Sequence, residues 1–586
     1  MDYKVDFEDV KFTLFDFLNV GSLTELPPFA EQSADLYQSI LEEGAKFAKK
    51  EIGSLNESGD RIGAKVVDGH VVMPAGFKEA FKKFGENGFM STDLKPEYGG
   101  MGLPNTLGVA IFEFFMGANA SFALVQMLTR GAANNIQTFG TEEQKQTYLH
   151  KMNSGEWCGT MCLTEPQAGS AVGDLTTSAT PNADGSYSIQ GTKIFITSGN
   201  HDMASNIIHL VLARVKGDAP GTKGISLFIV PNRRINADGS LGQDNDVKLT
   251  SIEHKMGIKA SPTCVLQFGD KNACQGFLIG KQAEGMKHMF TLMNEARLEC
   301  GQQGVAIGAT AYEHALQYAK DRTQGGNTPI INFPDVRRML MTMKAYVESL
   351  RTLIIEAAMM ADIGKHHADA HKREEAEAFL SLLTPVCKAF TSDMGFRVTE
   401  LAIQIYGGYG FTADYPAEQY MRDVKIASLY EGTNGIQAMD LIGRKFLMNQ
   451  GKTMGHYLET IVSHLNKAAA AAEIKPLADV VKAALGRFQE GAKTVANRAA
   501  SDKSASGYLA TPFLRAFGDL VCASLMVRRA AKARELLQAN PTADRARFLN
   551  GKIEAAKFYV EQILPEMDLN LARIKSSDVS ALADVF

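Results

Sequence analysis

The chain has 586 residues, 45% of them hydrophobic and 22% charged, and its formal net charge at neutral pH is -5. That length exceeds what one hydrophobic core serves, and it predicts three or four domains. The mildly acidic balance gives no support for nucleic acid as the main partner, so an anionic ligand would need local basic groups.

The amino-terminal residues 1–35 are predicted to form an ordered extension that packs on a neighbouring domain through a group of apolar side chains. The first ten residues, MDYKVDFEDV, carry acid where a secretory or mitochondrial presequence carries base, which favours a cytoplasmic protein. No uninterrupted apolar run reaches the ~18 residues of a membrane-spanning helix, so we expect no segment that spans a membrane. The apolar anchors are Phe12, Leu14, Phe15, Phe17 and Leu18.

Residues 36–158 show helical periodicity, with apolar side chains three and four positions apart in segments such as LYQSILEEGAKFAKKEI. Thr141 and Gln144 have the spacing of a capping box, which predicts the start of one helix there. Between 159 and 280 the pattern changes to short alternating or β-branched runs separated by turn signals, without helical runs. We therefore predict a helical domain followed by a compact antiparallel β-domain.

Helical periodicity returns in residues 281–448, whose long segments are apolar over wide faces, as in a bundle buried on more than one side. Residues 449–586 are Ala-rich and are predicted to form an additional helical domain. From residue 450 onward, 19 Lys and Arg stand against 14 Asp and Glu. A cationic cluster in this domain permits an anion-binding face, but a solvated helix with internal ion pairs is favoured. The cluster comprises Arg528, Arg529, Lys532 and Arg534.

The seven cysteines are scattered and mostly embedded in apolar segments, which is typical of reduced core residues. Cys158 and Cys162 are four residues apart, but no second Cys or His pair follows at zinc spacing. We expect no metal site.

Glu431 has the most informative setting of any carboxylate in the chain, within QIYGGYGFTADYPAEQYMRDVKIASLYEGTNGIQAMDLIGRK. The Gly407-Gly408 pair and the run from Gly432 to Gly435 would let backbone amides approach a ligand closely. Glu431 is therefore a candidate catalytic base. Two turns bounding a surface helix would explain the same local pattern, so a second region must decide.

The second region is MCLTEPQAGS, from Met161 to Ser170, followed by GTKIFITSG. Pro166, small residues and hydroxyls suit a backbone-rich cradle for a polar ligand. Phe195 and Thr197 alternate to one face of a strand, where a ring can stack and a hydroxyl can donate. A hairpin with one buried aromatic is the alternative explanation.

TEPQAGS before a β-domain, then Arg297, Arg322, YGGYGF and LYEGT in this order and spacing resemble the acyl-CoA dehydrogenases over about residues 40–445. The resemblance implies an α+β multidomain fold with an amino-terminal helical domain, a middle antiparallel β-domain and a carboxy-terminal four-helix bundle. The extension and the additional helical domain resemble the long bacterial branch of the family, which includes 3-methylmercaptopropionyl-CoA dehydrogenases.

The resemblance implies a dehydrogenase that removes the α-proton and the β-hydride of an acyl-CoA thioester, with FAD as cofactor. Removal of that α-proton needs a base and hydrogen-bond donors at the thioester oxygen. Glu431 matches the family's base. The implied substrate is 3-methylmercaptopropionyl-CoA or, alternatively, a medium- or long-chain fatty acyl-CoA. The implied partners are an electron-transferring flavoprotein and a second copy of the chain in a homodimer.

The same resemblance assigns roles to residues of both regions. Arg322 and Gln404 to Gly408 align with residues that reach the adenine end of FAD across a subunit interface. The implied FAD-binding residues are Met161, Cys162, Leu163, Thr164, Gly169, Ser170, Phe195, Ile196, Thr197, Arg322, Gln404, Gly407, Gly408 and Thr433. The implied substrate-binding residues are Ser170, Asn294, Arg297, Tyr430 and Gly432.

Several departures from the family pattern define alternatives. Phe195 stands where the family usually has Trp, and the segment after Arg322 lacks the family's usual residues. Some members place the base on the helix that holds Arg297, but Glu295 is one residue from the required position, about 100° away around a helix.

Two other functions fit the same scaffold. A flavin oxidase or monooxygenase usually alters the base, so the presence of Glu431 argues against it. A nucleic-acid-associated flavoprotein would use a basic carboxy-terminal domain, and the excess of cations there is modest.

Overall fold

The protein is described by a computed structural model that covers residues 2–447 and 449–576. It divides into two compact units: the first consists of Met1–Tyr3 and Ser39–Glu299, and the second of Lys4–Gln38 and Cys300–Phe586.

The α-helices, in chain order, are α1 Phe7–Lys11, α2 Ala34–Phe47, α3 Asn56–Ile62, α4 Phe77–Glu86, α5 Asn105–Ala118, α6 Ala120–Phe139, α7 Glu142–Asn153, α8 Gly285–Asp321, α9 Pro334–His366, α10 Ala370–Tyr406, α11 Ala417–Lys425, α12 Asn434–Asp440, α13 Lys452–Ala468, α14 Lys475–Ser501, α15 Lys503–Leu537, α16 Ala543–Phe558 and α17 Pro565–Ser576. The strands are β1 Lys65–Val67, β2 His70–Val72, β3 Trp157–Cys162, β4 Ser178–Pro181, β5 Tyr187–Thr197, β6 Asn206–Val215, β7 Ile225–Pro231, β8 Arg233–Ile235, β9 Leu241–Asp244, β10 Val247–Ile252, β11 Thr263–Phe268, β12 Gln275–Leu278, β13 Thr323–Gln324 and β14 Thr328–Pro329.

The helices α2 to α7 confirm the helical pattern of residues 36–158, and α7 begins with the predicted capping box of Thr141 and Gln144. A short hairpin, β1 and β2, interrupts this pattern and was not predicted. Its strands are too short to display alternation, although the Asp68-Gly69 turn, with φ of 49° and 80°, carries a recognised hairpin signal.

The middle β-region forms one eight-stranded sheet in the order β10-β11-β5-β12-β7-β6-β3, with β4 pairing β5 and β6. Most pairs are antiparallel, as predicted, but β3 and β4 both run parallel to β6. The predicted antiparallel pairing is therefore confirmed for most of the sheet, and the pairs of β3 and β4 with β6 are the exceptions. Alternation along one strand identifies its buried face and carries no information about the direction of its partner.

From Lys4 onward the amino-terminal extension is part of the second unit, where Asp9 of α1 is fully buried among cations. Lys552 donates to Asp9 at 2.6 Å, and Arg351 and Arg529 also pair with this carboxylate. Burial alone would raise the pKa of Asp9, but the three cations hold it well below its ordinary value. Phe12 packs beside Ala533 and Leu549, so the apolar anchor predicted from the sequence is confirmed at this residue.

The cationic cluster of α15 is engaged by carboxylates of the second unit. Arg529 is buried and pairs with Asp9, so the expectation of a solvated face was wrong for this residue. The other three cations also form ion pairs, but only the pair of Lys532 lies within α15 as predicted, while Arg528 and Arg534 pair with residues outside this helix. An anion-binding face is left without structural support. The three ion pairs are Arg528 with Glu356, Lys532 with Glu535 and Arg534 with Glu473.

One helical stretch among the described residues, Ser504–Leu537, has the length and hydropathy of a membrane span. Most of that stretch is buried inside the protein, which is also how the core helix of a helical domain lies. All seven cysteines are free and buried, and burial raises the pKa of the Cys162 thiol to about 12. Their assignment to the core as reduced residues is confirmed.

Candidate active site

The Glu431 turn, residues 429–434, joins a 3₁₀ turn at Ile426–Ser428 to helix α12. Glu431 has φ 57° and Gly432 has φ 84°, so the chain passes through the left-handed region twice in succession. For a residue with a side chain that conformation costs about 1–2 kcal/mol. A Cβ at Gly432 would lie 2.7 Å from Nε2 of Gln437, so a side chain there would also displace its neighbour. Strain of this kind persists where the surroundings over-determine it.

Contacts on both sides of Glu431 hold the turn. Gln437, which is buried in α12, donates from Nε2 to the carbonyl of Glu431 at 3.3 Å. The Tyr430 hydroxyl donates to Oε1 of Gln303 in α8 at 2.5 Å. Thr433 caps α12 by accepting the N–H of Ile436 at 3.3 Å. The carboxylate therefore extends from a backbone whose position is fixed from two helices.

Asn434, the first residue of α12, ties the turn to α10. Its Nδ2 donates to Oδ1 of Asp393 at 2.7 Å and to Oγ of Ser392 at 3.0 Å. Its Oδ1 accepts from Nζ of Lys388 at 2.9 Å. Residues of α10 thus provide hydrogen-bond partners for both the oxygen and the nitrogen of the Asn434 side-chain amide. This half-buried polar group therefore has the partners that burial requires.

The Glu165 loop, residues 163–177, contains the TEPQAGS motif and is organised by its buried glutamate. Glu165 pairs with buried Lys193 of β5 at 2.9 Å and accepts the backbone N–H groups of Thr176 and Thr177 at 2.7 and 3.0 Å. Burial would raise the pKa of Glu165, but Lys193 and the other donors lower it to about 2. Nζ of Lys193 also donates to the carbonyl of Leu163 at 3.0 Å, so one ion pair holds both ends of the loop.

The end of β5 lies beside this loop. The N–H of Ile194 donates to the carbonyl of Thr164 at 2.9 Å, and the next residue, Phe195, has φ 58° with 59% of its surface exposed. Ile196 is buried and Thr197 is half-buried. Because Phe195 is exposed, the alternative of a hairpin with one buried aromatic is wrong for this residue. The stacking role of Phe195 and the hydrogen-bonding role of Thr197 stay predictions.

These features of the first unit fit the flavin of FAD. An exposed aromatic ring provides a stacking surface, and the hydroxyls of Thr164 and Thr197 are suitable hydrogen-bonding groups for a heteroaromatic ring. A Cβ at Gly169 would meet nothing within 4 Å, so the backbone there is open to a ligand. Four other residues near this loop are implied by the family resemblance to bind FAD. Met161 is half-buried, Cys162 and Leu163 are buried, and Ser170 is exposed.

A cavity of about 580 Å³ in the second unit contains Arg322, Gly407 and Gly408 among its lining residues. The Arg322 guanidinium lies 5.5 Å from the centre of the Tyr409 ring. A Cβ at either glycine would meet nothing within 4 Å. A cation, aromatic rings and an open backbone suit a ligand with both a base and phosphates, so the cavity fits the adenine end of FAD. Gln404 is exposed on the last turn of α10, where its carbonyl accepts the Gly407 N–H.

The helix α8 places Asn294 and Arg297 side by side, since Nη1 of Arg297 donates to Oδ1 of Asn294 at 3.1 Å. Glu295 points elsewhere: it accepts from Nδ2 of Asn134 at 2.5 Å and lies 3.7 Å from Nη1 of Arg130. The prediction that Glu295 turns away from the position of a base is consistent with these contacts.

Several residues that hold the site were missed from the sequence. Glu165 and Lys193 both lie inside the quoted motifs, but nothing in the sequence links one to the other. Gln303 and Gln437 also hold the Glu431 turn without any local signal. Among the described residues no group of His, Cys, Asp or Glu could hold a metal ion.

Four family models match the chain. They are described as acyl-CoA dehydrogenase N-terminal domain over residues 37–156, middle domain over 160–271 and C-terminal domain over 283–447, and as acetyl-CoA dehydrogenase C-terminal like over 458–583.

Curated relatives are similar over almost their whole length. A 3-methylmercaptopropionyl-CoA dehydrogenase of Ruegeria pomeroyi is 37% identical over 99% of both chains. A broad-specificity linear acyl-CoA dehydrogenase of Mycobacterium tuberculosis is 36% identical over 96% of both chains. Among solved structures, an acyl-CoA dehydrogenase from Bacillus anthracis complexed with FAD has a TM-score of 0.73 at 23% identity, covering 93% of this chain and 88% of that one. The last comparison shows the fold.

Proposed function

Because the chain belongs to the acyl-CoA dehydrogenase family, we propose that it is an FAD-dependent enzyme that converts an acyl-CoA to the trans-2-enoyl-CoA with Glu431 as base. The observation that carries this proposal is the Glu431 turn, in which a glutamate at φ 57° is held by residues of two helices. An acyl-CoA dehydrogenase is an oxidoreductase that acts on adjacent C–H bonds, so such a base is required.

The proton step uses groups of the Glu431 turn. The carboxylate of Glu431 takes the α-proton, and the electron pair of that C–H bond moves toward the thioester carbonyl. The N–H of Glu431 is the proposed donor to the thioester oxygen, where negative charge develops. The fixed turn lowers the barrier by holding base and donor in one geometry before substrate arrives.

FAD, when bound, supplies the acceptor for the hydride that leaves the β-carbon. The residues proposed to hold its flavin belong to the Glu165 loop and the end of β5. The aromatic cavity with Arg322 is proposed for the adenine end of the FAD that the other copy of the homodimer binds. Thr433, Gln404, Gly407 and Gly408 complete the second set. Ser170, Asn294, Arg297, Tyr430 and Gly432 are the proposed substrate contacts.

The proposed substrate is 3-methylmercaptopropionyl-CoA, since a dehydrogenase of this name is similar over the full chain. A linear medium- or long-chain fatty acyl-CoA is the second candidate, which the broad-specificity relative favours. One methylene in an acyl pocket changes binding by only ~1–3 kcal/mol, so the two candidates must be separated by rates.

The test is an initial-rate series with the purified flavoprotein, an electron-accepting dye and acyl-CoA thioesters that differ in chain length or carry the thioether. We expect enoyl-CoA product and the highest kcat/KM with the thioether substrate. Oxidation of none of the thioesters by FAD-loaded protein would contradict the activity. A higher kcat/KM with a straight-chain substrate would contradict only the substrate.

The electrons are proposed to pass to an electron-transferring flavoprotein, and the enzyme is proposed to be a cytoplasmic homodimer. Reduction of a purified electron-transferring flavoprotein during turnover tests the first statement. Light scattering of the holoenzyme tests the second, with a mass of two chains expected and a mass of one chain contradicting it.

A further inference from the structure

We propose that the additional helical domain positions the Glu431 turn through Arg515 of α15, which makes Arg515, Asp393 and Asn434 positioning residues for the base. This inference rests on the proposed role of Glu431. It concerns residues 449–586, none of which has a role in the proposed reaction.

A continuous path of hydrogen bonds leads from α15 to the turn. Nη2 of Arg515 donates to Oδ2 of Asp393 at 3.0 Å, and Oδ1 of the same carboxylate accepts from Asn434 at 2.7 Å. Asn434 is the residue after the Thr433 cap and three residues after Glu431. Asp393 thus uses its two oxygens to join the additional domain to the start of α12.

A second hydrogen bond, from Gln437 of α12, connects this helix directly to the backbone of Glu431. Gln437, one turn into α12, is fully buried and donates to the carbonyl of Glu431 at 3.3 Å. A rotation or shift of α12 therefore moves the donor of that bond. Since Glu431 and Gly432 both have positive φ, the turn relies on its neighbours to stay in this conformation.

Apolar contacts place α15 against the same elements. A Cβ at Gly507 would lie 3.4 Å from Sδ of Met439 in α12. The rings of Phe446, in the segment after α12, and Phe513 are 5.3 Å apart. The helix of Arg515 therefore packs against the end of α12 and the segment after it, while the ion pair of Arg515 with Asp393 reaches the start of α12 through Asn434.

The Arg515–Asp393 pair has little to do with global stability. The Arg515 side chain is 40% exposed and that of Asp393 22%, and pairs this accessible contribute little to the free energy of unfolding. Removing Arg515 should leave the protein folded and loosen the turn. A loosened turn misplaces the base, and a misplacement of 1 Å can cost about 100-fold in rate.

The experiment compares Arg515→Met with Arg487→Met in the FAD-loaded enzyme. Arg487 is the matched control, because it forms an exposed pair with Asp568 at 2.7 Å in the same domain. For Arg515→Met we expect faster hydrogen exchange at residues 429–437 and a kcat lowered by about tenfold with KM unchanged, within the loss that displacement of a base can cause. Arg487→Met should match the wild type in both, and Arg515→Lys should recover part of the loss.

Exchange at residues 429–437 in Arg515→Met equal to that of the wild type would overturn the proposal, whatever the activity. A kcat within twofold of the wild type despite faster exchange would also overturn it. The hydrogen-exchange measurement does not need turnover. A wild-type enzyme that oxidises no acyl-CoA would therefore contradict the proposed function, while hydrogen exchange would still test whether Arg515 holds the Glu431 turn.

Discussion

Glu165 and Glu431 are carboxylates in different units, and the protein uses them in opposite ways. Glu165 is buried and accepts from Lys193, Thr176 and Thr177, so its side chain holds a loop. Around Glu431 the turn is held through the backbone carbonyl and through the neighbouring side chains of Tyr430 and Asn434.

This difference separates a structural acid from a candidate base. A carboxylate whose pKa is about 2 binds a proton too weakly to act as general base near neutral pH. The Glu431 turn is fixed through its backbone and its neighbours, which keeps the Glu431 side chain in a defined place. The same residue type therefore stands in two different settings: Glu165 stabilises a loop, and Glu431 is the proposed base.

The largest effect should follow from breaking the Glu165 pair. Lys193→Met would leave Glu165 buried without its cation, and removal of one partner of a buried pair typically costs about 3–5 kcal/mol. We expect earlier thermal unfolding of the first unit and loss of FAD during purification. Lys83→Met is the matched control, because Lys83 pairs with Glu51 at the surface at 2.7 Å and should cost at most about 1 kcal/mol. Equal melting temperatures of the two variants would contradict the structural role of Glu165.

Acid should weaken the Glu165 loop in a defined range of pH. The folded pKa of about 2 lies below the ordinary value of 4.5, so ionised Glu165 stabilises the fold fully above pH 4.5 and this contribution is lost as the pH falls through 2. The shift corresponds to about 3 kcal/mol. Urea unfolding of the wild type and Glu165→Gln should therefore show a stability difference that narrows between pH 5 and pH 3. A stability difference that stays constant over this pH range would mean that ionised Glu165 does not stabilise the loop.

Gly432→Ala should affect the Glu431 turn. Its φ of 84° costs a side chain about 1–2 kcal/mol, and the new Cβ would meet Nε2 of Gln437 at 2.7 Å. We expect a lowered kcat with FAD still bound, measured by dye reduction and the flavin absorbance. Gly455→Ala is a control, because its Cβ would meet nothing within 4 Å in a helix. A Gly432→Ala enzyme with wild-type kcat would show that the turn tolerates displacement.

Thr433→Ala should have the smallest effect on stability, because the side-chain bond of the turn that it removes is the cap of α12. Thr433 is also a proposed FAD contact, so this variant is judged by its unfolding and not by its activity. Loss of a threonine cap costs about 1 kcal/mol. Thr433→Ser should retain the cap and serve as the control. Thermal unfolding of the second unit measures the difference, and a cost above about 3 kcal/mol would mean that Thr433 does more than cap the helix.

The sequence predicted element types well where the signal is local. Helical periodicity, the capping box at Thr141 and the apolar anchor at Phe12 all have their expected structures. The parallel pairing of β3 with β6 could not be predicted, because strand direction depends on the partner and not on the strand's own alternation. The buried position of Arg529 depends in the same way on Asp9, which lies more than 500 residues earlier.

In the candidate site, the sequence motifs identified Glu431, Phe195 and the Glu165 loop. They did not identify the backbone conformations and the hydrogen-bond partners that fix these residues in place. Positive φ at Glu431 and Phe195 is invisible to residue patterns, because both residue types prefer other conformations. Lys193 is 28 residues from Glu165, and Arg515 is 122 residues from Asp393. Such partners arise from tertiary packing, and local spacing does not encode them.

The central claim is that Glu431 is the base, and anaerobic flavin reduction by an acyl-CoA tests it most directly. The measurement compares wild-type, Glu431→Gln and Glu295→Gln enzymes, each with its bound FAD. We predict that Glu431→Gln retains its flavin spectrum but is reduced about 10³-fold more slowly, within the range that a general base contributes, while Glu295→Gln stays within tenfold of the wild type. A Glu431→Gln enzyme whose flavin is reduced within tenfold of the wild-type rate would contradict the assignment.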